Sequence, residues 1–140
     1  MDGENGEKAF DQLVALLDYP MFVVTTLADG ERSGCLVGFT SQVSINPSRF
    51  LVGLSKRNRT YRVAVRAEHL AVHLVPRTHV DLARLFGGQT GDRVDKFERC
   101  GWHAGPQDMP ILDDAEGWFV GAVLNRYDVG DHVGHLRHDA

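Results

Sequence analysis

The chain has 140 residues, 43% hydrophobic and 24% charged, with a formal net charge of −4 at pH 7. That length suits one domain with a substantial core, and that hydrophobic content excludes a disordered chain. The acidic balance argues against a general nucleic-acid binder, which needs many cations on one face, and no apolar run approaches the ~20 residues of a membrane helix.

Cys35 and Cys100 are too few and too far apart for a disulfide framework, and they lack metal-ligand spacing. With no signal peptide ahead of them, the chain reads as soluble and cytoplasmic, its thiols reduced.

Residues 1–6 are polar and acidic and are expected to be disordered, which leaves a single domain over 7–140. Phe10, Leu13, Val14 and Leu17 fall at helical spacing, predicting an amphipathic helix from Glu7 to Leu17 that ends at Tyr19-Pro20. Met21 to Leu27 is a dense apolar and β-branched run, the pattern of a buried strand, and Ala28-Asp29-Gly30 is a turn signal. A second strand is expected from Arg32 to about Ser44, bent or bulged near Gly38, and Asn46-Pro47 closes it. Phe50 to Leu54 is the third strand, followed by a helix at Tyr61 to Arg66 and a strand at His69 to Val75 that Pro76 ends. Thr78, with Asp81 three residues on, predicts an N-cap for a helix from Val80 to Phe86.

Gly87 to Gly117 reads as one long Gly-rich loop with a short helix at Val94 to Cys100; a loop of this kind is a lid, a binding loop or an interface arm. A strand at Trp118 to Arg126, a turn at Tyr127 to Asp131 and a last strand from His132 to His138 complete the chain. About six strands, mostly consecutive, predict a mainly β fold: an antiparallel β-barrel with peripheral helices. The Rossmann glycine fingerprint is absent.

Between the third strand and its helix lies Ser55-Lys56-Arg57-Asn58-Arg59-Thr60, a basic turn on an acidic protein. A helix start offers backbone N–H groups to an anion and Arg adds forked bonds to phosphate oxygens, so the turn reads either as a phosphate site or as a solvated surface turn. His132, His135 and His138 recur at every third residue; on a strand His132 and His138 share a face and His135 opposes them, and no metal site is expected. Phe86, Phe97, Trp102 and Trp118 read as core or interface aromatics, and the surplus of apolar residues on a small barrel predicts a homodimer.

Three ordered segments carry a resemblance: Gly34 to Pro47, the Ser55-to-Thr60 turn, and Gly130-Asp131-His132. With Asp95-Lys96-Phe97 and Pro110-Ile111-Leu112, they resemble the flavin reductase-like family over Tyr19 to Leu136. Members of that family have an FMN-binding split β-barrel and form homodimers; many reduce flavin with NADH or NADPH, often for a partner monooxygenase. The resemblance implies that Gly38, Phe39, Thr40, Ser41 and Gln42 line the isoalloxazine ring, that Ser55, Arg59 and Thr60 hold the phosphate with Lys56 adding field, that Phe97 or Trp102 shields the flavin, and that His132 is the catalytic residue near the nicotinamide or the flavin edge.

The chain departs from the family in placing Leu36, Gly38 and Phe39 where hydroxyls are common, which shifts the expected contacts toward backbone. The alternatives are a non-enzymatic FMN carrier or electron-transfer protein, a barrel that has lost its ligand, and a barrel for haem or a deazaflavin with His73, His79 and His103 as candidate haem ligands.

Overall fold

The computed structural model describes residues 3–17, 20–88 and 94–139. The first helix, α1, runs Gly3–Leu16, so residues 3–6, expected to be disordered, are helical. The Tyr19 expected to mark its stop lies outside the described residues, as do residues 1–2 and residues 89–93 of the Gly-rich section. The strands are β1 Phe22–Ala28, β2 Glu31–Val37, β3 Thr40–Ile45, β4 Ser48–Ser55, β5 His69–Leu74, β6 Trp102–Ala104, β7 Pro110–Leu112, β8 Gly117–Asp128 and β9 His132–Asp139. The remaining helices are α2 Arg59–Ala64 and α3 Val80–Gly88.

Seven strands form one sheet in the order β2-β1-β5-β8-β9-β4-β3, every neighbour antiparallel. Among the described residues this ladder does not close on itself; β2 and β3 are its two margins. The expected strand from Arg32 to Ser44 is therefore two strands, broken at Gly38-Phe39 and sent to opposite ends of the sheet. The break is held by the Gly53 N–H, which donates to the Phe39 carbonyl at 2.8 Å. Gly53 permits that approach, since a Cβ there would lie 3.2 Å from the Phe39 Cβ.

β1 is buried on both faces because two layers meet on it. Val24 points into the barrel with Val37, Val52, Leu54, Leu70 and Val72. Val23 points outward, under Leu82 and Phe86 of α3, Phe97 and Leu112. The apolar run that predicted a buried strand reflects this double cover. The β1–β2 hairpin turns at Asp29 (φ 52°) and Gly30 (φ 76°), the paired positive angles of a two-residue turn whose twist matches the strands.

From residue 94 onward, the segment expected to be one long loop is instead the outer layer. It carries the β6–β7 hairpin and a 3-10 turn at Lys96–Glu98, where a longer helix was expected. Phe97 sits edge-on between Phe86 (5.8 Å) and Trp102 (5.7 Å), and Arg32 lies over the Trp102 ring at 4.5 Å. The Thr78 hydroxyl, expected to cap α3, meets His79 Nδ1 at 3.4 Å instead. Phe10, Leu13 and Leu16 of α1 are exposed, as are Val43 and Ile45 of β3.

Candidate functional site

A cavity of about 190 Å³ opens where the end of β2 and the Gly38-Phe39 crossing face β4. Its walls come from the end of β2 (Cys35 to Val37), the Gly38-Phe39 crossing, β4 (Gly53 to Ser55), Asn58 and His132. Segments distant in sequence converge here because β4 pairs with β9, with Ser55 opposite His132.

The two turns at this corner are stitched together. The Lys56 N–H donates to the Asp131 carbonyl at 2.9 Å, and Lys56 Nζ donates to both Asp128 oxygens at 2.8 and 2.9 Å. The hydrogen bond from Lys56 holds the Asp128 carboxyl below the usual range, and the bond from His132 does the same for Asp131. His132 Nδ1 donates to Asp131 Oδ1 at 2.7 Å, which fixes the ring and leaves Nε2 away from that carboxylate. The imidazole meets the Phe39 ring at 4.9 Å and 64°. Phe39 is half exposed at the cavity mouth.

The basic turn differs from its sequence expectation in one respect: most of its backbone donors are consumed. Asn58 N–H bonds Ser55 O at 3.0 Å, Arg57 N–H bonds Ser55 Oγ at 3.3 Å, Tyr61 N–H bonds Asn58 O at 3.1 Å, and Asn58 Oδ1 caps Thr60 N–H at 2.9 Å. α2 has only six residues, so an anion here would be held by side chains rather than by a helix start.

Thr60 is also spoken for, fully buried with its hydroxyl 2.8 Å from that of Ser33. Arg59 is half-buried and pairs with Glu31 at 3.3 Å; Glu31 in turn contacts Arg66 at 3.4 Å. Arg57, given no role from sequence, is exposed beside Asp131.

Of the residues singled out from sequence, Gly38, Phe39, Ser55 and His132 share the cavity, and Lys56 and Arg59 flank it in chain. Thr40, Ser41 and Gln42 continue from its edge along β3, where Ser41 and Gln42 are exposed and make local bonds to Gln42 O and Ser44 O. Phe97, expected as a flavin shield, is a core residue of the outer layer. Cys35, Asn58 and Gly53 line the cavity and were not singled out; the Asn before a helix start was the available signal for one of them. Burial pushes the Cys35 thiol up to about 11, so it stays protonated.

His73, a candidate haem ligand, has neither nitrogen available. Its Nδ1 donates to Val23 O at 2.9 Å and its Nε2 accepts from Leu112 N–H at 3.2 Å, a neutral ring in the core. His103 donates to Asp113 at 2.7 Å and His79 lies 3.9 Å from Asp114.

A flavin suits the cavity on its donor chemistry. Gly38 and Gly53 border a cavity of mixed polar and apolar lining, a histidine stands among its walls, and three cations occupy the adjoining turn.

The family described as flavin reductase like domain matches residues 14–134. The chain belongs to that family. It is 30% identical over 114 residues to the stachydrine N-demethylase reductase subunit Stc3 of Rhizobium meliloti, covering 79% of this chain and 48% of that protein. It is 30% identical over 109 residues to the FMN reductase (NADH) RutF 2 of Rhizobium rhizogenes, covering 78% of this chain and 62% of that one. The first curated relatives are longer proteins, of which the chain spans 35% to 62%. Among solved structures, a flavin reductase domain protein from an Arthrobacter species superimposes with a TM-score of 0.85 at 22% identity, over 96% of this chain and 82% of that chain. That likeness establishes the split-barrel-like fold.

Proposed function

We propose that this member of the flavin reductase-like family binds FMN at the Phe39–His132 corner and passes hydride from NADH to it. The observation that supports this most is the convergence of Gly38, Phe39, Ser55 and His132 on one cavity beside the basic turn. FMN supplies the redox chemistry: its ring takes the hydride from a stacked nicotinamide, so the protein's task is mostly positioning.

Gly38 and Gly53, lacking a Cβ, let the backbone approach the ring closely. Arg57 and Arg59 hold the phosphate by side-chain bonds, and Lys56, already bound to Asp128, adds field. His132, its Nδ1 fixed by Asp131, presents Nε2 as the proton-bearing or proton-accepting edge toward the ring system.

The related Stc3 is a demethylase reductase subunit and another relative is the reductase component of a trigonelline monooxygenase, which supports release of reduced flavin to a partner oxygenase. The exposed apolar rows on α1 and β3 support a homodimer in the cytoplasm, where Cys35 and Cys100 stay free.

One observation favours a second reading, a non-enzymatic FMN carrier: the Phe39 ring already packs against His132, the side chain proposed to meet the reacting rings. Visible absorbance with added FMN, followed by NADH consumption, separates the two. Flavin-dependent NADH oxidation is expected; tight FMN binding without turnover rejects the reductase and keeps the carrier.

A further inference from the structure

Lys96 is 4% exposed, beneath the strand that leads into the cavity. Its ammonium donates to Gly34 O at 3.1 Å and Phe86 O at 3.0 Å and stands 5.5 Å from the Phe86 ring centroid. Gly34 is the residue before Cys35, which lines the cavity. The other fully buried ion is Arg137, also a cation, and no Asp or Glu is buried among the described residues. On a chain of net charge −4, the buried ions among the described residues are thus both cations, and Lys96 is the one bonded to the strand that enters the cavity.

Stapling β2 to α3 does not account for an ammonium. A neutral amide has enough donors to bridge two carbonyls and avoids the cost of a desolvated charge. The charge itself is the unexplained quantity, and its reach in a poorly screened interior is long. Burial lowers the Lys96 pKa, and its neighbours Cys35 and Arg59 add opposing effects.

Taking FMN at the Phe39–His132 corner as given, the geometry points to Lys96 as a positioning residue for charge: its buried ammonium favours reduced over oxidised flavin through the wall of the site. The balance is simple. Oxidised FMN accepts a hydride, that is two electrons and one proton, from the nicotinamide, which leaves as the oxidised pyridinium. The flavin product carries one negative charge that the oxidised ring lacks, and a cation behind β2 binds that state more tightly. A role limited to holding β2 affects both oxidation states alike.

The test compares affinities of the full chain for oxidised FMN and for dithionite-reduced FMN, in wild type, Lys96→Met and Lys96→Arg. Lys96→Met is expected to lower the reduced-to-oxidised affinity ratio about tenfold, equivalent to a midpoint about 30 mV more negative for a two-electron couple. Riboflavin is expected to show the same change, because the effect lies at the ring. Lys96→Arg is expected to restore most of the ratio. An unchanged ratio in a Lys96→Met protein that still binds oxidised FMN overturns the role of Lys96 and leaves the proposed function standing. Failure of the wild type to bind FMN overturns both.

If Lys96→Met does not fold, lysine-labelled NMR of the wild type replaces it. By reciprocity the Lys96 ammonium must hold its proton more tightly once the flavin is reduced. No change in its titration on reduction overturns the inference.

Discussion

Two regions bury histidine in opposite ways. Beneath α3, where β5 meets β1 and β7, His73 has both ring nitrogens paired, to Val23 O and Leu112 N–H. On β9, His135 donates Nδ1 to Val133 O at 3.1 Å, while its Nε2 meets no partner among the described residues. Nearby on the same strand, Arg137 bonds Leu70 O and Gly121 O through Nη2 and lies 5.0 Å from the Phe119 ring, with Nε and Nη1 unpaired among the described residues. Burial draws Arg137 down to about 9. The outer layer is a region in which polar groups fix strand positions; β9 is a region whose polar groups are not all satisfied. Paired polar atoms belong to the scaffold, and the less satisfied strand is the one that delivers His132 to the cavity.

The largest effect is expected in the outer layer. Phe86→Ala removes a side chain that is 1% exposed and packed on Phe97, and should cost about 3–5 kcal/mol in denaturant unfolding. Phe39→Ala, at the exposed mouth, should leave the denaturation midpoint nearly in place, and equal losses for the two would erase the contrast between the regions.

Acid sharpens the comparison. Burial first of all pulls both His73 and His135 down to about 4 from 6.5. Between those values the unfolded chain binds the protons and the folded one does not. Their contribution is therefore present above about 6.5 and is lost as pH falls toward about 4, at about 1.4 kcal/mol per pH unit for each ring. Urea midpoints measured at neutral pH and at stepped acid values read that slope. At neutral pH, His73→Leu should cost about 1–3 kcal/mol, because Val23 O and Leu112 N–H lose their partner. His135→Leu should cost less, since it removes an unsatisfied nitrogen. A reversed order contradicts the assignment of His73 to the scaffold.

At the corner the effects are on binding. Replacing Arg57 and Arg59 together with Ala should weaken FMN about tenfold or more and riboflavin about twofold or less, measured by fluorescence quenching. Equal loss for both flavins removes the phosphate role. The smallest effect belongs to Lys56→Ala, which breaks an exposed pair with Asp128; it should barely move the melting temperature and should flatten its dependence on salt.

The legible part of the chain was its local pattern. The β1 run, the Asp29-Gly30 hairpin turn, Phe86 as core and His132 at the start of the last strand all follow from spacing and residue type. The break at Gly38-Phe39 was hidden, because β-branched and small polar residues continue on both sides and a bend inside one strand looks the same in sequence as a crossing between two. The strands of the outer layer are three residues each, too short to show alternation. The burial of Lys96, the pairing of Thr60 with Ser33 and the use of the turn's N–H groups by Asn58 and Ser55 are tertiary facts. Composition favours the opposite reading for each, since lysines and turn hydroxyls are ordinarily wet. The family segments converge on one corner; which of their side chains are engaged there depended on contacts across the sheet.

The placement of β2 and β3 at opposite margins has a consequence for the order of assembly. The cavity joins segments far apart in the chain: until β9 is in place there is neither His132 at the corner nor the ladder that links β4 to β8. Flavin capture at the proposed site would then be a visible report that this ladder has formed.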